Sequence, residues 1–191
     1  DYIVNNTRYD YENYLKGTLP ADSFEEYGCL VLGVAVCEGY AQAMKLLCDL
    51  AGIECIIVTG YSDITGSRIE HAWNIVKIEG DYYHVDVTND DPVSVDGTDI
   101  LSHAYFNLTD NEMKAGFEWD TAKYPACTST KNSYFNKFNM VVRNKADFRK
   151  TVQKAIENRR SEIELRVMDY IKNNYSKNEI YNIVSNFEEV R

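Results

Sequence analysis

Three residues of this 191-residue chain have the types and the order of a nucleophile, a base and an orienting acid: Cys37, His71 and Asp86. A thiolate attacks an acyl carbon, an imidazole holds the thiol proton and later gives it to the leaving amine, and a carboxylate fixes the tautomer and stabilises the imidazolium. Taken singly, each has an ordinary alternative. A cysteine packs as a small hydrophobe, a histidine at a strand start satisfies itself in the core or at the surface, and an aspartate accepts backbone N–H groups. The order helix-borne Cys, His on one strand, Asp on the next strand is what sets the three apart.

Cys37 opens a run in which Tyr40, Met44, Leu47, Cys48 and Ala51 recur at helical spacing until Gly52, so a helix is expected over about 37–51. Unpaired N–H groups and the dipole at such a helix start favour a thiolate. Glu54 to Tyr61 reads as a strand. His71 to Ile78 and Tyr82 to Thr88 read as a β-hairpin around Glu79-Gly80-Asp81. With any two-residue loop, His71, Trp73 and Ile75 share a face with Tyr82, His84 and Asp86. A Glu79-Gly80 loop makes His71 and Asp86 a diagonal pair, roughly 7–8 Å apart at the backbone and within side-chain reach. A Gly80-Asp81 loop sets them too far apart.

Elsewhere the pattern is plainer. Tyr2 to Leu15 is polar and tyrosine-rich, with a helix end in its first half, and 17–22 is a loop. Asp22 with Glu25 resembles a capping box opening a helix to about Leu32, closed by Gly33. Asn89 to Ser102 is an acidic, turn-rich surface loop whose Asp90 and Asp91 are read as solvated rather than as a calcium site. Tyr105 to Leu108 is a short strand, Thr109 or Asp110 caps a helical turn, and 117–133 is irregular. Residues 139–143, 147–158, 162–167 and 170–187 read as strand, helix, strand and helix. Two parts are therefore expected: 1–138, and a small α/β extension over 139–191.

Charge separates the same two parts. Residues 1–138 carry 9 Lys+Arg against 22 Asp+Glu, net −13, and residues 139–191 carry 11 against 8, net +3. The overall net charge of −10 argues against nucleic-acid binding, because no basic excess is available to displace phosphate counterions. The five cysteines are an odd number without C-x-x-C spacing, which argues against a disulfide framework or a zinc site. No metal or other cofactor is expected. The longest apolar run, Leu30 to Val36, is too short to span a bilayer. The chain begins at Asp1 without a signal peptide, and an N-terminal leader removed upstream is compatible with that start.

These motifs together resemble the transglutaminase-like superfamily, the group with a papain-type thiol core. Gly33 to Cys37 matches its Gly-x-x-Cys opening with one extra residue, followed by Gly39-Tyr40-Ala41; Gly52-Ile53 ends the helix and Gly60 the strand. His71-Ala72-Trp73-Asn74 and Val85-Asp86-Val87-Thr88 complete the pattern, and Tyr105-Phe106-Asn107 is similar to bacterial members. The resemblance covers about 1–137 and implies an α+β fold, a papain-like core with the cysteine helix packed on an antiparallel sheet. It implies Cys37 as nucleophile, His71 as base and acid, and Asp86 as orienter. His84, on the face of Asp86, is a rival base. Asn89 stands where many members have Trp after Asp-x-Thr, and Tyr83 replaces a tryptophan before the Asp. Both departures bear on the acyl pocket rather than on the triad.

The expected activity is that of a thiol enzyme acting on amide bonds of a peptide or protein through a Cys37 acyl-enzyme. Hydrolysis is favoured over transfer to an amine, and a non-catalytic surface-binding module is the alternative from another class. The Cys37 N–H is one oxyanion donor, and Tyr27, Tyr40 and Trp73 are pocket candidates. The resemblance further implies a secreted or cell-surface bacterial protein, with cell-wall peptide as one possible substrate. The oligomeric state is not encoded in any of these features.

Overall fold

Alternating burial along two long segments builds the sheet on which the site rests. The computed structural model describes residues 1–93, 100–160 and 163–168. The chain divides into two units, Asp1–Tyr134 and Phe135–Arg191, four residues short of the boundary expected from composition.

In the first unit, α1 (Tyr2–Asn6), β1 (Arg8–Tyr9) and α2 (Tyr11–Lys16) precede a 3-10 turn over Ala21–Phe24 and a π-helix over Gly28–Leu32. Then follow β2 (Val34–Ala35), α3 (Cys37–Leu50), β3 (Cys55–Ser62), β4 (Ile69–Ile78), β5 (Asp81–Val85), β6 (Phe106–Leu108), α4 (Asp110–Met113) and β7 (Phe117–Glu118). Five strands form one antiparallel sheet in the order β6-β5-β4-β3-β7, and β1 pairs in parallel with β2. The fold is α+β, with the cysteine-bearing helix laid on an antiparallel sheet.

α3 buries Gly39, Tyr40, Ala41, Ala43 and Cys48. Ala51, expected on that face, is exposed beyond the helix end. Asn74 of β4 donates to the Ala41 carbonyl at 3.0 Å, tying helix to sheet through a buried amide. Beneath lies a core of Val58, Trp73, Ile75, Leu108, Met113 and Phe117. Each such side chain removed from water contributes about 1.5–3 kcal/mol before chain entropy is counted.

The single helix expected from Asp22 to Leu32 is two short turns separated by extended Glu25. Tertiary hydrogen bonds outcompete the capping box there. The Ser23 hydroxyl donates to Asp10 at 2.7 Å, and the Ser23 carbonyl accepts the Val36 N–H at 2.8 Å. Thr109 does cap α4, in a full capping box with Glu112. Asp90 and Asp91 are not solvated as expected. Asp90 is buried and accepts the Tyr105 N–H at 2.8 Å, and Asp91 accepts the Tyr40 hydroxyl, so both acids tie the loop to the core.

The second unit holds β8 (Val141–Val142), α6 (Lys145–Glu157) and β9 (Arg166–Val167), following a short turn of helix, α5 (Tyr134–Lys137), at the boundary. β8 and β9 pair in parallel across α6, around Val142, Phe148 and Val152. Asn144 caps α6 by accepting the Asp147 N–H at 2.9 Å. The helix expected over 170–187 lies outside the described residues.

Candidate active site

β4 and β5 are joined through Glu79-Gly80, with Ile78 opposite Asp81. Both turn residues have positive φ, 52° and 92°, the type I′ geometry whose twist matches that of a hairpin. This register puts His71 and Asp86 on one face, two places out of step, and His71 Nε2 meets an Asp86 carboxylate oxygen at 2.7 Å. Asp86 is fully buried and His71 nearly so. The ring is walled by Trp73, stacked at 6.0 Å and 19°, and by Phe117 at 5.7 Å.

Cys37 is the first residue of α3, half-buried, and its extended N-cap Val36 has no side-chain cap. First-turn N–H groups, that of Cys37 among them, have no intrahelical acceptor, so they offer positive potential at the sulfur and a donor for an oxyanion. Cys37 lines the same cleft as His71, and its sulfur acts on the imidazole. With Nε2 engaged by Asp86, Nδ1 is the nitrogen left for the thiol. Burial opposes charge on His71, but the Asp86 carboxylate and the hydrogen bonds to Asp86 and Cys37 outweigh it and push the imidazole up to about 10. At neutral pH the ring is therefore an imidazolium beside the sulfur.

Asn89 completes the cluster. Its backbone N–H donates to one Asp86 oxygen at 3.2 Å, its amide donates to the other at 2.5 Å, and that amide lies 3.3 Å from His71 Nε2. The residue noted as a departure in the pocket thus sits on the His–Asp pair itself. Its signal in the sequence is its place three residues after Asp86, where a backbone N–H can return to an aspartate carboxylate.

Cys37 and His71 open onto a cleft of about 750 Å³ also lined by Tyr9, Tyr14, Phe24 and Tyr61, with Glu38 and Glu70 among its carboxylates. Gly60, directly across from His71 on β3, lets the β7 backbone approach closely; a Cβ there would meet the Glu118 carbonyl oxygen at 2.2 Å. Tyr9 was missed as a site residue. Burial and the nearby Cys37 and Tyr14 raise its pKa, so its hydroxyl remains a donor close to the sulfur.

The expected pocket aromatics lie elsewhere. Tyr27 is 51% exposed at the start of the π-helix and does not line the cleft. Tyr40 is 1% exposed, within the core of Ile3, Cys29, Ala35 and Ala43. Trp73, equally buried, stands behind His71 rather than in the cleft wall. Helical spacing and strand parity gave these residues their faces but not their depth. The rival base His84 has both ring nitrogens engaged, by Trp73 and Asp110.

Comparison with known proteins agrees with this core. The model of the transglutaminase-like superfamily matches residues 1–87, which contain Cys37, His71 and Asp86. Human kyphoscoliosis peptidase is 40% identical over 60 residues, 27% of this chain and 9% of that protein, so the chain spans under a tenth of its curated relative. Two solved structures overlap in part. One, named a "putative cysteine protease" and from Cytophaga hutchinsonii, has 22% identity and a TM-score of 0.40, covering 53% of this chain and 32% of the other. The second, a TGase, has 18% identity and a TM-score of 0.39 over 51% and 28%. Residues 1–87 of this chain thus carry a transglutaminase-like superfamily domain.

Proposed function

We infer that the chain is a thiol hydrolase of peptide amide bonds. The observation that carries this reading is the meeting of Cys37 and His71 in one open cleft, with Asp86 held on His71 at 2.7 Å. The Cys37 thiolate attacks the acyl carbon, and the carbonyl oxygen takes the negative charge against the Cys37 N–H. Collapse breaks the C–N bond as His71 gives its proton to the leaving amine, leaving a thioester. The now neutral His71 then takes a proton from water as the water oxygen attacks the thioester carbon; the C–S bond breaks, the Cys37 thiolate leaves beside the recharged His71, and the acid product gives its proton to solvent. Tyr9 is the side-chain donor for the same oxyanion. The open cleft, which admits water, favours hydrolysis, and the name of the human relative points the same way.

Acyl transfer to an amine is the second reading, because Glu38 and Glu70 draw a cationic group to the cleft whether it belongs to substrate or acceptor. One experiment separates the two. Glutamine-containing and lysine-containing peptides are incubated with the protein and with Cys37→Ala, with and without a labelled primary amine. Hydrolysis gives new termini or released ammonia without label and depends on Cys37. Label incorporation in place of hydrolysis would overturn the hydrolase reading, and no Cys37-dependent product of either kind would leave only a binding role.

A further inference from the structure

Behind His71 a second set of polar side chains gathers against the sheet, His84 and Cys127 buried and Asp110 partly so. A ring nitrogen of His84, an Asp110 carboxylate oxygen and Cys127 Sγ lie within 4.8 Å of one another, a donor set that suits zinc. The tautomer argues against a metal. The indole N–H of Trp73 can only donate, and it reaches His84 Nδ1 at 3.0 Å, so Nδ1 is the acceptor. Nε2 therefore carries the hydrogen, which an Asp110 oxygen accepts at 2.9 Å. A metal on Nε2 would need that lone pair and would turn an N–H at Nδ1 toward the indole N–H.

The same bonds form a mechanical chain. Asp110 is fixed by reciprocal backbone bonds: its carboxylate accepts the Cys127 N–H at 3.2 Å, and its own N–H donates to the Cys127 carbonyl at 2.7 Å. Asp110 holds His84, His84 holds the Trp73 indole, and Trp73 lies nearly parallel to the His71 ring. Trp119 closes over both links edge-on, 5.9 Å from Trp73 and 4.8 Å from His84. We propose that His84 and Asp110 are positioning residues that lock the Trp73 indole and, through it, the plane of His71 against Cys37. The proposal rests on His71 being the base. Burial holds His84 below its ordinary pKa against the opposing pull of Asp110 and Asp86, and burial with Asp110 pushes the Cys127 thiol up to about 12. His84 is then a neutral strut behind a charged His71, adding no second cation to the hairpin.

Three variants and two readouts test this. His84→Leu removes both hydrogen bonds, His84→Gln retains an acceptor for Trp73 and a donor for Asp110, and Trp73→Phe keeps a ring while deleting the N–H. Imidazole nitrogen NMR reports the tautomer of His84, and iodoacetamide reports Cys37 reactivity in the folded protein. The wild-type His84 should be the neutral Nε2–H form at neutral pH, titrate on the acid side of an ordinary histidine and be unmoved by zinc. His84→Leu and Trp73→Phe should each slow Cys37 alkylation about tenfold, and His84→Gln should restore most of the rate. A merely structural role would lower the melting temperature and leave alkylation of the folded protein unchanged. The proposal is overturned if Trp73→Phe, folded by circular dichroism, alkylates like wild type, or if zinc converts His84 to the Nδ1–H form. His71→Ala is the reference: if it slows alkylation and the others do not, only the strut fails, and if it has no effect the base assignment fails as well.

Discussion

Asp86 reaches His71 diagonally across the β4–β5 hairpin, two residues out of register, to close a 2.7 Å contact. The pairing exists only because Glu79-Gly80 is a two-residue turn, since a one-residue slip would send Asp86 to the opposite face of the sheet.

The first consequence concerns the sulfur. With a charged imidazole beside it at a helix start, Cys37 should react with iodoacetamide at neutral pH about 10-fold or more faster than a free thiol. In His71→Ala the rate should fall to that of an ordinary cysteine. A wild-type rate no greater than that of free cysteine would end the activated-nucleophile reading. The four other cysteines are buried, so mass spectrometry of early adducts assigns the signal to Cys37.

The pH dependence follows from His71, whose pKa is raised by Asp86 and Cys37 to about 10 against the opposing effect of burial. The proton is needed for the leaving amine, so kcat/KM should hold across neutral pH and fall as pH rises through about 10. The stability contribution has the same sign: a raised pKa stabilises the fold fully below the unfolded value of about 6.5 and loses that effect as pH climbs to the folded value. Asp86→Asn removes the larger attraction and leaves only Cys37 to oppose burial, which lowers the pKa. The alkaline limb should then move to lower pH, and kcat at pH 7 should drop by about 10²- to 10⁴-fold. An alkaline limb that stays put in Asp86→Asn would show that Asp86 does not hold the proton on His71.

Asn89 gives a finer test. Its amide and backbone N–H occupy both oxygens of Asp86. Asn89→Ala should lower kcat about 10-fold with little change in KM, since a bond to the orienting carboxylate is lost and no cleft contact is removed. Asn89→Asp should be worse, because it sets a second carboxylate against Asp86. A change confined to KM would return Asn89 to the pocket.

The legible part of this site was local. A 3.6-residue period carried Cys37 to the first residue of α3, and a 2-residue period carried His71 and Asp86 to one face, because both patterns are set by neighbours in sequence. Tyr9 was not legible, since its place depends on β1 pairing with β2, where Arg8 lies opposite Val34. Trp73 and Tyr40 lie on the expected faces but below the cleft, because parity says nothing about how many layers cover a face. The broken helix over 21–32 followed from bonds to Asp10 and Val36, which no local window contains.

The turn itself offers the last prediction. Glu79 holds φ 52°, a left-handed conformation that costs a side chain with a Cβ about 1 kcal/mol and that Asn and Gly adopt readily. Its carboxylate pairs with Lys131 at 2.7 Å, but both side chains are more than half exposed, and such pairs contribute little. Glu79→Asn exchanges the weak ion pair for the favoured Asn-Gly turn. It should raise the melting temperature by a few degrees, corresponding to about 0.5–1 kcal/mol, and leave kcat/KM unchanged because the register is the same. If stability falls instead, the Lys131 pair outweighs the backbone conformation. If activity changes, the turn contributes more to the His71 and Asp86 alignment than its register alone.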